Sequence, residues 1–195
     1  MRTVANFDLL PFSAMKIALL AGGNSPERDV SLESGSEVGA ALSGRGHRVT
    51  PIDPLQTDLN GVPWDEFDAV FIALHGTFGE DGQVQRILED ARVPFTGSDS
   101  QTSRLAFSKS ASKERFATCG VPTLPYVLIH ESDAAARISQ QAGAIGFPCV
   151  VKPDGQGSSL GVSLVQTPEQ LPAALSQCFH FDPFGIVEAY IDGSE

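Results

Sequence analysis

Phe67–Leu74 reads Phe-Asp-Ala-Val-Phe-Ile-Ala-Leu, eight residues with a single charge and the most apolar run in the chain. It falls far short of the roughly 20 apolar residues that a membrane-spanning helix needs, so it has to be buried in protein. A short continuous run, as opposed to an alternating one, suits a parallel strand covered on both faces, and we expect it to be the central strand of a sheet.

A parallel sheet requires crossover connections, and the surrounding sequence supplies them. Lys16–Leu20 is a short β-type run and Ala21–Arg28 a loop of small residues. From Asp29 onward, Val30, Ser34, Val38, Ala41 and Leu42 recur at helical spacing until Gly44 and Gly46 stop the pattern. His47–Ile52 follows as a second strand. Asp81 is placed to cap a helix over Gly82–Arg92 with Val84, Ile87 and Leu88 inward, and Pro94–Thr96 is a fourth short strand. Residues 15–100 therefore read as a small doubly wound parallel-sheet domain, whose ligands belong at the carboxyl ends of its strands.

Residues 1–14 lack periodicity and read as a loose extension, with Met15 a second candidate start. Beyond Gly97 the pattern changes. A Ser-rich stretch leads into a helix with Lys109 and Lys113, and strands at Tyr126–Ile129, Cys149–Lys152, Val162–Val165 and Ile186–Tyr190 enclose helices near Asp133–Ala142 and Glu169–Cys178. We place a boundary near residue 100, with 101–195 as a second, α+β unit.

Charge narrows the choice of partners. Thirteen Lys and Arg against 24 Asp and Glu leave a formal charge of -11, which repels nucleic acid and anionic membranes. Four of the six basic residues beyond position 100 fall between Arg104 and Arg115, marking the second unit as the place for an anionic ligand. Cys119, Cys149 and Cys178 are widely spaced among apolar neighbours, which reads as reduced, partly buried thiols of a cytoplasmic protein and not as a disulfide frame or zinc site.

Four segments carry chemistry. Ala21–Arg28 links strand to helix with Gly22-Gly23, where backbone amides can approach a ligand. Glu27 in that turn either complements the helix dipole or grips an amino acid's ammonium. His75 ends the apolar run and precedes Gly76, a strand end at which open α/β sheets hold functional groups; a structural histidine is the other reading. Val150–Val162 places Lys152 before a loop with Gly155, Gly157, Ser158, Ser159 and Gly161. Amides, hydroxyls and one ammonium suit a triphosphate, and a plain glycine hairpin is the alternative. Lys109 can add a phosphate contact or be merely solvated. Lastly, Ile186–Glu195 can present backbone to an adenine edge and Glu195 to a ribose, or form a simple strand and turn.

Taken in order, these segments resemble the D-alanine–D-alanine ligase family of the ATP-grasp superfamily. The carrying residues are Leu20-Ala21-Gly22-Gly23, Ser25, Glu27–Ser31, Ala73-Leu74-His75-Gly76, Gly79-Glu80-Asp81-Gly82, Pro94–Ser98, Lys109, Val151-Lys152-Pro153, Gly157–Gly161 and the strand from Glu188 to Glu195. The resemblance implies that 101–195 is the first α+β subdomain of an ATP-grasp fold, truncated. It implies that ATP phosphorylates one D-alanine and a second displaces phosphate, giving a dipeptide for peptidoglycan in the cytoplasm.

By matching position it assigns catalytic roles to Glu27 (first-substrate ammonium), His75 (carboxylate and acyl phosphate) and Ser158 (the hydrogen-bond network that includes Glu27). Nucleotide contacts fall to Lys109, Lys152, Gly157, Ser158, Ser159, Gly161, Glu188, Ile191 and Glu195. Gln156 and Ala189 depart from the family pattern. A homodimer is implied, as are Mg2+ or Mn2+ ions whose ligands lie past residue 195, with no metal ligand in this chain. Losing one transition-state donor costs about 3 kcal/mol, so the 195 residues alone are expected to turn over little. A non-catalytic ATP- and D-alanine-binding fragment and a different ATP-grasp carboxylate–amine ligase are the competing readings. Without a covering lobe, strand 186–190 and loop 155–161 are expected to expose apolar surface.

Overall fold

A computed structural model describes residues 13–193. Residues 1–12, most of the expected extension, and Glu195, the expected ribose carboxylate, lie outside the described residues.

The first sheet holds three parallel strands, β1 (Lys16–Leu20), β2 (Arg48–Ile52) and β3 (Ala69–Ile72), in the order β2-β1-β3. Helix α1 (Arg28–Gly44) crosses from β1 to β2. Ile17 and Leu19 of β1 turn toward one face, whereas Ala18 and Leu20 join Val70, Val84 and Leu88 in a core under α2 (Gln83–Asp90) and the single turns at Leu59–Gly61 and Trp64–Glu66. Each fully buried leucine or valine there contributes about 2 kcal/mol by leaving water. The most covered strand is β1, not the 67–74 run; in β3 only Val70 is fully buried. The fourth strand shrinks to one parallel bridge between Val70 and Phe95, because Pro94 has no N–H to extend the ladder.

Helix α1 also buries a different face from the one its apolar spacing predicts. Ser31 and Gly35 are buried, and Val30 is 53% exposed. A Cβ on Gly35 would lie 2.4 Å from the Cβ of Ala21, and one on Gly39 3.2 Å from Leu19 Cδ2. Small residues thus set the close approach of helix to sheet, so hydrophobic periodicity misreports the inward side.

The Ser-rich stretch is itself helical. Asp99 caps α3 (Ser100–Phe107) by accepting from Thr102 N, and Ser108 caps α4 (Lys109–Thr118) by accepting from Ala111 N. The second sheet is antiparallel, with β4 (Tyr126–His130), β7 (Phe184–Ala189), β5 (Cys149–Pro153) and β6 (Ser163–Val165) in the order β4-β7-β5-β6. Its register pairs Val127 with Val187 and Val151 with Val187, placing alternate residues on one face. That face packs Ile129, Cys149, Val151, Val165 and Val187 against Ile138 and Ala142 of α5 (Ala135–Ile145) and Leu171, Ala174 and Cys178 of α6 (Leu171–Phe179).

The other face carries Tyr126 and Leu128, Val150 and Lys152, Leu164, and Ile186 and Glu188. Apolar exposure falls at Leu128, Val162, Leu164, Phe184, Tyr190 and Ile191, and not along 186–188, which is buried as the inner strand of its sheet. Of the three thiols, Cys149 and Cys178 are buried and Cys119 is exposed past the end of α4. Burial pushes the Cys178 thiol up to about 12, which keeps it protonated and inert. No helix among the described residues is long and apolar enough to cross a membrane.

Candidate active site

Gly22 and Gly23 leave β1 with positive φ, and a Cβ on Gly22 would meet the Asp53 carboxylate at 2.7 Å. The turn is pinned by Asp53, whose Oδ1 accepts from Gly23 N at 2.9 Å and whose Oδ2 takes Arg28 Nη2 at 2.6 Å. Ser31 Oγ accepts from Gly22 N and donates to the carbonyl of Ala73, tying α1 to the end of the 67–74 run. Asp53 had no functional reading in the sequence beyond closing a strand, and its partner lies 25 residues away.

The Arg28 guanidinium holds the Asp53 carboxyl down to about 2, with Gly23 and Leu55 amides adding to the effect against the opposing push of burial. A carboxyl depressed in the folded state stabilises fully above its ordinary value and loses that contribution as pH falls toward 2. Asp53→Asn should cost about 1 kcal/mol at pH 7 after solvent screening of this partly exposed pair. In urea melts the gap between wild type and variant should close on going from about pH 4 to about pH 2. A constant gap across that range would exclude the ion pair as its source.

Glu27 precedes α1 and projects across to the glycine loop, where its Oε1 accepts a hydrogen bond from Ser158 Oγ. Its neighbour Ser25 accepts from Glu27 N and donates to the carbonyl of His75 at 2.7 Å. A Cβ on Gly76 would lie 2.5 Å from Glu27 Oε2, so the glycine after His75 makes room for the carboxylate. The His75 ring is held between Ser34 Oγ, 3.2 Å from Nε2, and Glu80 Oε1, 3.5 Å from Nδ1. Glu80 also accepts from Gly76 N, closing the loop on itself. Glu27 and Ser158 are therefore in direct contact, with His75 alongside through Ser25 and Gly76.

Loop 154–162 joins β5 to β6. Ser158 and Ser159 both take left-handed φ, at 49° and 56°, conformations unfavourable to non-glycine residues and held here by local turns. The loop's base is fixed by Gly155 N donating to Asp182 Oδ2 and by Asp154, which accepts from Ser108 Oγ and Ser110 N at the start of α4. Lys109 Nζ donates to the carbonyls of Asp154 at 3.3 Å and Gln156 at 2.5 Å. Burial and the nearby Lys152 ammonium hold Lys109 below the ordinary lysine range.

Behind the loop, Glu188 lies between two ammonium groups, Lys113 Nζ at Oε1 and Lys152 Nζ at Oε2, the latter 2.6 Å away. Burial pushes Glu188 up, but the hydrogen bonds and charges of both lysines outweigh it and hold the carboxyl below its usual range. Its side chain is thus committed to lysines. Ile191, at the end of the described chain, is 67% exposed and apart from this cluster's hydrogen bonds. Nothing near Lys113 in the sequence marks it as functional, although its position four residues after Lys109 on α4 puts both on one helix face.

The cleft suits an anion better than a cation. Lys109, Lys152 and the amides of the glycine loop fit a phosphate chain. Glu27, Asp154, Asp182 and Glu188 are each engaged by protein donors, and among the described residues no three His, Cys, Asp or Glu converge to hold a metal.

A small parallel α/β lobe followed by an antiparallel sheet, whose lysine-flanked glycine loop reaches Glu27 of the first lobe, defines an ATP-grasp type of architecture. Residues 53–98 match the family described as D-ala D-ala ligase N-terminus and residues 116–195 the one described as D-ala D-ala ligase C-terminus, together more than half of the chain. D-alanine–D-alanine ligase of Geobacter sulfurreducens is 44% identical over 181 residues, covering 92% of this chain and 56% of that protein. The crystal structure of D-alanine–D-alanine ligase from Bacillus anthracis superposes with TM-score 0.80 at 33% identity, covering 92% of this chain and 59% of that one. A D-alanine–D-alanine ligase from Bacillus anthracis complexed with ATP gives 0.77 at 30% identity, covering 92% of this chain and 60% of that one. The chain belongs to the D-alanine–D-alanine ligase family, and it spans a little over half the length of these relatives.

Proposed function

We propose that this chain binds D-alanine and ATP and forms the substrate lobe, residues 15–100, and the first nucleotide-binding sheet, 101–195, of a ligase that joins two D-alanines. The observation that carries this reading is the hydrogen bond from Ser158 to Glu27, which brings a phosphate-type loop onto a carboxylate in the substrate lobe, beside His75. Glu27 takes the ammonium of the first D-alanine, and His75 faces its carboxylate. Lys109, Lys152, Ser159 and the amides of Gly157 and Gly161 hold the triphosphate so that its terminal phosphoryl reaches that carboxylate. A carboxylate is a poor electrophile; the acyl phosphate gives it a leaving group, and the amine of a second D-alanine displaces phosphate to form the dipeptide used in peptidoglycan. The solved relative complexed with ATP supports nucleotide binding in such a cleft. The protein works in the cytoplasm, as a homodimer.

Calorimetry on the 195-residue chain tests this reading. D-alanine should bind more tightly than L-alanine, and Glu27→Gln should weaken it by about 10- to 100-fold through loss of a charge-assisted contact. ATP should lose far less affinity than D-alanine does, its one link to Glu27 being the Ser158 hydrogen bond. A chain that binds neither ligand, or that prefers L-alanine, overturns the proposal.

A further inference from the structure

We propose that Lys113 is a positioning residue of the phosphate site: by neutralising Glu188 from the inner side, it frees the Lys152 ammonium to serve an anionic ligand. This rests on the reading of the cleft as a triphosphate site and adds a residue to it.

The two lysines on Glu188 are not equivalent. The Lys113 side chain is 10% exposed, and its ammonium is used up inside the protein: besides Glu188 it donates to Thr123 Oγ1 at 2.7 Å and to the carbonyl of Leu124 at 3.3 Å. It also lies 5.1 Å over the centre of the Tyr126 ring. Lys152 is 24% exposed, sits at the foot of the glycine loop, and among the described residues has Glu188 as its one polar partner. One ammonium is fixed and the other has donors to spare.

Counting charge gives the same division of labour. Glu188 carries one negative charge and is flanked by two positive ones, so Lys113 alone balances it and Lys152 is a surplus cation at the edge of the cleft. A phosphate arriving beside the loop competes with Glu188 for Lys152. With Lys113 present, the ammonium can turn to the phosphate without stranding a buried carboxylate. With Lys113 removed, the same movement leaves Glu188 buried and unpaired, which is costly, and Lys152 stays on the carboxylate.

The test uses the 195-residue chain, with ATP and inorganic tripolyphosphate as probes in calorimetry. Lys113→Met should weaken both by about tenfold or more, because the anion no longer gains Lys152. Adding Glu188→Gln should reverse the loss: with no charge on residue 188, Lys152 is released again, and Lys113→Met/Glu188→Gln should bind tripolyphosphate within about threefold of Glu188→Gln alone. A merely structural lysine would not show this rescue. Wild-type affinity in Lys113→Met, or a double variant as weak as Lys113→Met, overturns the assignment and leaves the reading of the cleft standing. A wild-type chain that binds neither probe overturns that reading and this inference with it.

Discussion

Glu188→Ala should destabilise the chain by about 3 kcal/mol, because it strands two ammonium groups where one carboxylate held both. The cost of losing one partner of a buried pair exceeds the net worth of the pair, since the remaining charge keeps its desolvation penalty without compensation. Lys113 bears most of it: it is the deeper of the two, whereas Lys152 can turn toward solvent. Urea midpoints at pH 7 read the loss. A variant as stable as wild type at pH 7 would mean that water reaches Lys113.

Gly82→Ala should cost about 3 kcal/mol or more, through a backbone collision in addition to strain. Gly82 immediately precedes α2 with φ of 91°, and an added Cβ would lie 2.3 Å from the carbonyl oxygen of Ser100, the first residue of α3. A carbonyl cannot swing away as a flexible side chain can, so α2 and α3 would have to part. Gly97→Ala is the control: its φ is 100° but nothing lies within 4 Å of the added atom, so only the conformational term remains, about 1–2 kcal/mol. Comparing denaturation midpoints separates collision from strain. Equal losses at the two sites would show that the seam between α2 and α3 yields freely.

Local pattern made much of this molecule readable. The strand at 16–20, the loop that leaves it, the helix after it and the glycine loop between β5 and β6 are each written in a contiguous stretch, and the structure has them within a few residues. Pattern fails where contact size matters more than hydrophobicity, as on α1, whose inward side is Ser31 and Gly35 and not Val30. It also fails at the fourth strand, since one bridge at Phe95 depends on how far Pro94 lets the ladder run. Within the candidate site, Glu27, His75, Ser158 and the lysines at 109 and 152 stand out in the sequence because they lie at turns and element ends. Asp53, Asp154 and Lys113 do not, because their meaning comes from partners distant in sequence: Arg28 for the first, Ser108 and Ser110 for the second, Glu188 for the third.

The hydrogen bond between Ser158 and Glu27 has a thermodynamic consequence. A ligand ammonium at Glu27 has to share or displace the serine hydroxyl, and a phosphate gripped by the loop has to move the same serine with it. Occupancy on one side of the cleft therefore enters the free energy of occupancy on the other, and the coupling is equal in both directions. On the proposed reading, amino acid and nucleotide report to each other through a single shared oxygen.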